Sequence, residues 1–317
     1  MNSEMSIWSN FVEYLTRGGN DSLIELYIKD QPPEWYLHLV TTLCDSDLKL
    51  RSLKKLYLGG GSFPHHPVFP VDVTIQLIHR CCPELTELQV SGKTDTNLLL
   101  YSLIECPKLS HLNLQGCVRP LDDGGLQALL TSSVGERLLS LDISRWKFSD
   151  GRVFDAISEN CSQLQYLNFS GTQFSNGNNG LIAIAKGCPR LKRLNLDSCF
   201  WVNDESFRAL CRERESPTSG EHQLLVELED LSINRCSGAG NSIPSLFTLF
   251  PELKRLQLRS IPISYKTVKE FLMQLSSANR GGCIELTITA FAHDGVYREG
   301  ILDLISNYPN ATVIARF

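Results

Sequence analysis

The sequence has no apolar run long enough to cross a bilayer as a helix. Its longest candidate, Leu98–Ile104, falls far short of the ~20 residues required. An excess of positive charge is missing too. Lys and Arg number 30 against 35 Asp and Glu, a net charge of −5, so there is no basic face of the kind nucleic-acid binding usually needs. The opening residues, MNSEMSIWSN, lack the basic start and apolar core of a secretory signal. No C-x-x-C or H-x-x-x-H spacing marks a metal site, and His65-His66 stands isolated. Neither a phosphate-binding Gly loop nor a nucleophile elbow occurs. The expectation is an intracellular chain, cytoplasmic or nuclear, that is not an enzyme. It needs no metal or cofactor and binds neither membrane nor nucleic acid.

What is present is repetition. The stretch Cys188 to Cys211 reads CPRLKRLNLDSCFWVNDESFRALC. Leu191, Leu194 and Leu196 stand at positions one, four and six, and Cys199 follows at position nine. This is the leucine-rich-repeat pattern, a short strand followed by a return helix. One such unit cannot bury its apolar edge alone and must stack on copies of itself. The template recurs with first positions at Leu23, Leu53, Leu85, Leu109, Leu138, Leu164, Leu191, Leu228, Leu253 and, in degenerate form, Cys283. The predicted fold is an α/β solenoid (horseshoe) of about ten repeats, parallel strands on the concave face and helices on the convex face.

Helices are predicted over Pro33–Leu43, Thr74–Arg80, Gly125–Leu130, Arg152–Ser158, Gly180–Lys186, Glu205–Cys211, Thr267–Leu275 and Gly300–Ile305. Asp123, Asp150 and Asp204 are candidate caps. The expected organisation is an N-terminal cap over 1–20, the repeats over 21–306 and a C-terminal cap over 307–317. Loop insertions are expected at 59–70 and 212–223, the second carrying a candidate phosphorylation site at Ser216. The odd total of 11 cysteines reads as free thiols in a reducing compartment, buried as small apolar groups at fixed repeat positions.

Two repeats pair a Cys-Pro-x-Leu entry with a second cysteine after the strand: Cys106-Pro107-Lys108-Leu109 with Cys117, and Cys188-Pro189-Arg190-Leu191 with Cys199. Cys161 and Cys236 each carry half of that pairing. This resembles the cysteine-containing subclass of leucine-rich repeats and the arrays of F-box/leucine-rich-repeat proteins. The resemblance implies a protein partner, and substrate recognition for a cullin-RING (SCF-type) ubiquitin ligase with its subunits as partners. Residues 33–44 only loosely echo an F-box and read as an ordinary repeat helix. That leaves a stand-alone scaffold or regulatory adaptor as the alternative.

Strand side chains alternate between faces, so positions three and five of each repeat should line the concave face. From them and the adjoining rim, the candidate protein-binding residues are Tyr57, His111, Asn113, Asp142, Trp146, Tyr166, Asn168, Arg193, Asn195, Trp201, Arg255 and Arg259. Arg193, Arg255 and Arg259 could read an acidic or phosphorylated segment, or could pair internally with Asp197 and Asp230. Trp201 is the candidate exposed anchor, with Val202 and Phe148 as buried partners; the alternative packs Trp201 under the 212–223 loop. His111 with Ser140 and Asp142 could suggest a triad, but reads equally as a solvated row.

Overall fold

The computed structural model describes residues 10–289 and 311–315, apart from 12, 16, 18, 30–32, 60–69, 92–95, 116, 118–123, 175–178, 216–223, 262 and 278–283. It divides into two compact units, Met1–Asp142 and Ile143–Phe317. Among the described residues no helix is long and apolar enough to cross a membrane.

In the first unit the described strands are β1 (Glu25–Lys29), β2 (Lys55–Gly59), β3 (Glu87–Val90), β4 (His111–Asn113) and β5 (Ser140–Asp142). Each runs parallel to the next in matching repeat register. Position four of each repeat, Leu26, Leu56, Leu88, Leu112 and Leu141, is at most 6% exposed. Burying each leucine contributes about 1.5–3 kcal/mol, and only a neighbouring repeat can provide that burial. The polar positions three and five alternate to the other face. Backbone bonds recur just as regularly. The position-two carbonyls of Ile24, Lys54, Thr86 and Ser110 each accept the N–H groups of positions two and three in the following repeat. The first leucine of a repeat closes a turn: Leu53, Leu85 and Leu138 donate to Leu50, Cys82 and Gly135, three residues earlier.

In the second unit, β7 (Tyr166–Asn168), β9 (Arg193–Asn195), β10 (Asp230–Ser232), β11 (Arg255–Arg259), β12 (Ile284–Thr289) and β13 (Ala311–Ala315) pair in parallel in that order. Two-residue strands β6 (Lys147–Phe148) and β8 (Gln173–Phe174) form a separate parallel pair just after the main strands. Position eight is left-handed in successive repeats, with φ of 66° at Arg145, 69° at Gly171, 57° at Ser198, 61° at Arg235 and 57° at Ser260. That geometry costs about 1–2 kcal/mol for a residue with a side chain. It aims the position-eight N–H of Arg145, Gly171, Ser198 and Arg235 at the position-seven carbonyl of the next repeat, 2.6–2.8 Å away.

Return helices follow the strands: Pro33–Asp45, Val71–Gln76 continued by a π-helical turn to Cys81, Thr96–Leu103, Gly124–Leu130 and Ser133–Arg137 in the first unit. In the second they are Arg152–Asn160, Gly180–Gly187, Asp204–Glu215, the 3₁₀ turn Gly240–Ser245 with Leu246–Leu249, and Tyr265–Ser277. The fold is therefore the expected α/β leucine-rich-repeat solenoid. Prolines 83, 189 and 251 follow helix ends, as their missing N–H and steric demand require.

Several expectations are revised. Leu98–Ile104, too short for a membrane, is mostly the return helix Thr96–Leu103, and Ser133–Arg137 and Gly240–Leu249 had no helical expectation. Of the loop expected over 212–223, Arg212–Glu215 instead continue the preceding helix. Residues 216–223, with Ser216, lie outside the described residues, as do 60–69 and the expected helix Gly300–Ile305. Asp204 does not cap its own helix. Asn203 does, accepting the Ser206 N–H at 3.1 Å. Asp204 Oδ1 instead accepts the Ser242 N–H and hydroxyl at 2.9 Å, tying its helix to the next repeat. Asp150 accepts the Arg152 N–H at 3.0 Å, and Asp123 lies outside the described residues. Within the expected C-terminal cap, Ala311–Ala315 is a strand paired with β12.

Candidate protein-interaction faces

On the strand face of the first unit, Glu25, Lys55, Glu87, His111 and Ser140 are aligned by register, and beside them Tyr27, Tyr57, Gln89, Asn113 and Asp142. Lys55 Nζ lies 2.7 Å from Glu25 Oε1 and 4.0 Å from Glu87 Oε2. The Tyr27 and Tyr57 rings stack with centroids 4.2 Å apart. Their hydroxyls donate to Glu25 and Glu87 at 3.0 and 2.8 Å. The Lys55 ammonium, helped by the Tyr27 hydroxyl, holds the Glu25 carboxyl below its ordinary range, and Glu25 holds Lys55 up. Burial and the bond to Glu87 push the Tyr57 phenol up. His111 Nδ1 lies 3.0 Å from the Ser110 hydroxyl, its chain neighbour, rather than meeting Ser140 or Asp142. The Asp142 side of the imagined triad is buried at 6% exposure.

In the second unit the corresponding row is Tyr166, Arg193, Asp230 and Arg255. The Arg193 guanidinium sits 5.2 Å from the centre of the Tyr166 ring, a cation–π arrangement. Arg255 grips Asp230 with two nitrogens. For Arg255 the internal pairing therefore holds, and its fork is already occupied. Asp197 accepts the Ser232 hydroxyl at 2.5 Å and two Asn234 donors, N–H and Nδ2, at 2.9 and 3.0 Å. Among the described residues neither Arg193 nor Arg259 has a carboxylate within ion-pair distance.

The position-five asparagines have a conformational task. Asn113, Asn168 and Asn195 accept, through Oδ1, the N–H two residues on, each at 2.9 Å. Each bends the chain off its strand as an Asx turn. Asn168 and Asp142 are only 6% exposed, which corrects their expected place on an accessible face.

The rim carries the larger corrections. Trp146 stands at position nine, the slot used elsewhere by cysteine, and is 1% exposed. Trp201 stands at position eleven, as Phe148 and Phe174 do in the two preceding repeats. Phe148 stacks on Phe174 at 4.6 Å, and Phe174 meets Trp201 edge-on at 5.3 Å. The Trp201 Nε1–H donates to Thr172 Oγ1 at 3.2 Å, leaving the residue 6% exposed. Neither tryptophan is an exposed anchor. Phe200, at position ten, is 72% exposed instead. Val202 and Phe148 are buried as expected.

The cysteines at position nine complete the site. The thiols of Cys117, Cys199 and Cys236 each donate, at 3.0 Å, to the position-six carbonyl of the preceding repeat: Val90, Phe169 and Leu196. Cysteine suits the slot because it fills apolar space and still supplies a weak donor. Burial pushes these thiols up, Cys199 to about 11 and Cys117 and Cys236 to about 12. A rise of two to three pH units cuts the thiolate fraction about 100- to 1,000-fold. Native protein treated with iodoacetamide at pH 8 should therefore leave Cys199 and Cys236 unmodified until denaturant is added. Mass-spectrometric mapping that finds them alkylated at free-thiol rates would contradict this packing.

No family model matches the sequence. The chain is 24% identical over 273 residues to F-box protein MAX2 homolog B of Petunia hybrida, covering 69% of this chain and 36% of that protein. It is 29% identical over 143 residues to EEED8.10 of Caenorhabditis elegans, whose name proposes RNA binding, covering 44% and 18%. Among solved structures, an internalin (InlF) from Listeria monocytogenes matches with a TM-score of 0.49 and 12% identity, covering 94% of this chain and 88% of that one. The stacked strand-and-helix units and their position-nine cysteines resemble the cysteine-containing subclass of leucine-rich repeats. They also resemble the arrays of F-box/leucine-rich-repeat proteins, and the chain spans about a third of the length of the Petunia relative and under a fifth of the nematode one. In the second unit the candidates Tyr166, Arg193 and Arg255 share one strand-face row, with Asp230 between the two arginines. The described metal-ligating side chains form no cluster of three or more that could hold an ion.

Proposed function

We propose that the array recognises a protein on its strand face, without chemistry, and delivers it to a cullin-RING (SCF-type) ubiquitin ligase. The observation that carries the recognition half is Arg193. It is exposed, seated over Tyr166 and free of any described carboxylate, so its donors remain for a partner's carboxylate or phosphate. The ligase half rests on the likeness to an F-box protein and on the paired cysteines. The ligase half goes with work in the cytoplasm or nucleus.

A stand-alone scaffold is the second reading, and one observation favours it. The segment that loosely echoes an F-box, Pro33–Asp45, lies between β1 and β2, which pair directly, and so serves as a repeat helix. Immunoprecipitation of the tagged chain with mass spectrometry separates the two. Adaptor and cullin subunits should co-purify; their absence, with other proteins captured, leaves the scaffold. Arg193→Glu should weaken capture of the recovered partner about tenfold while leaving the circular dichroism spectrum unchanged. Full binding by that variant removes Arg193 from the site.

A further inference from the structure

The position-eight turns of the second unit, from Arg145 to Ser260, form a series with its own chemistry. Position eight is pinned there by the bond from its N–H to the next repeat, so whatever side chain stands at it is displayed at a fixed place. Arg145 and Arg235 occupy it and are exposed; Arg259, at position seven of the following repeat, is exposed as well. Among the described residues none of the three has a carboxylate within ion-pair distance, whereas Arg152, Arg208, Arg212, Lys254 and Arg255 all have one. The acid in these turns, Asp197, is bound by the Ser232 hydroxyl and by Asn234. Phe200, 72% exposed, stands two residues beyond Ser198, which holds position eight between Gly171 and Arg235. A single exposed aromatic ring is ordinary. One carried by a turn of the same series that displays uncompensated guanidiniums, in a chain whose net charge is −5, is a composition enriched where partners bind.

We propose that Arg145, Phe200, Arg235 and Arg259 form a docking strip for an acidic polypeptide segment that carries an apolar side chain. At ~4.8 Å per strand, the four repeat steps from Arg145 to Arg259 span about 19 Å, the reach of six extended residues at about 3.3 Å each. Acidic groups on the segment meet the guanidiniums, and its apolar side chain covers the Phe200 ring. The acidic net charge of the chain favours a peptide over a nucleic acid, whose binders present a broad basic surface. The strip rests on the protein-recognition reading but not on the ligase link.

The left-handed backbone at Arg235 permits a clean test. Glycine accepts that conformation without strain, so Arg235→Gly removes the charge without a steric penalty to the fold. The probe is a fluorescein-labelled peptide of alternating Glu and Ser with one central Leu, read by anisotropy. A Gln-for-Glu peptide and a single-stranded RNA serve as controls. The acidic peptide should bind best and weaken as salt rises. Arg235→Gly combined with Arg259→Gln should weaken it about tenfold, and Phe200→Ala about fivefold, with thermal midpoints no lower than wild type. Undiminished binding by these folded variants overturns the strip, as does tighter binding of the RNA. If Arg193→Glu alone abolishes peptide binding, the strip is wrong and the strand-face reading stands. If none of these variants alters it, both fail.

Discussion

Replacing Trp201 with Ala is expected to destabilise the second unit by about 4 kcal/mol, within the range for deleting a large buried aromatic side chain. The ring is 6% exposed and lies 5.1 Å from Phe154, 6.1 Å from Phe169 and 5.3 Å from Phe174, centre to centre. Removing it opens a cavity inside a cluster that a stacked array cannot collapse without shifting two repeats. It also strips a donor from Thr172, which is fully buried. Trp201→Phe keeps most of the volume and loses the N–H, so it should cost about 1–2 kcal/mol. Urea unfolding followed by far-ultraviolet circular dichroism measures both. The adjacent Phe200→Ala supplies the contrast: its midpoint should stay within about 0.5 kcal/mol of wild type, as for surface changes generally. Equal losses from Phe200→Ala and Trp201→Ala would refute this assignment of the buried and exposed rings.

Gly187→Ala is expected to cost about 3 kcal/mol, the upper end for overpacking. An added Cβ would lie 2.0 Å from Ser158 Cα and 2.3 Å from its carbonyl oxygen. These are backbone atoms of the neighbouring return helix Arg152–Asn160, so no rotamer change relieves the clash. The helix Gly180–Gly187 would have to move away from its neighbour, loosening the contacts that bury Leu181 and Ile184. Gly171 offers the control. Its φ of 69° makes Ala there a conformational problem, yet the nearest atom to an added Cβ is the flexible Arg145 Cγ at 3.4 Å. Gly171→Ala should cost about 1–2 kcal/mol. A midpoint for Gly187→Ala no lower than that of Gly171→Ala would show that the helix layer yields freely.

Much of this was open to counting. Numbered from Leu138, Trp146 falls on position nine, which predicts burial. Numbered from Leu191, Trp201 falls on the same position eleven as Phe148 and Phe174, and Phe200 falls one place before it. The residue types misled, since a tryptophan beside a strand end suggests an anchor, while the position within the repeat says otherwise. The asparagines at position five were similarly legible as turn formers, because the amide oxygen reaches the N–H two residues on.

Other features were not legible. Arg193 on β9 and Arg255 on β11 are the same residue type at the same repeat position, either side of β10, yet Arg255 is consumed by Asp230 while Arg193 rests on Tyr166. Linear order does not tell which way a long side chain turns when carboxylate and ring flank it at one strand spacing. Asp204 is similar: a capping residue by its place in the chain, it serves Ser242 thirty-eight residues later.

The period, the strand positions and the alternation of buried leucines with polar neighbours follow from local order, since each repeat carries an apolar edge that only its neighbours can cover. Which aromatic ring is covered, which guanidinium is spent and which thiol donates to which carbonyl are settled between repeats. Those contacts join side chains about thirty residues apart, and their outcome depends on how stacking sets the turns against one another.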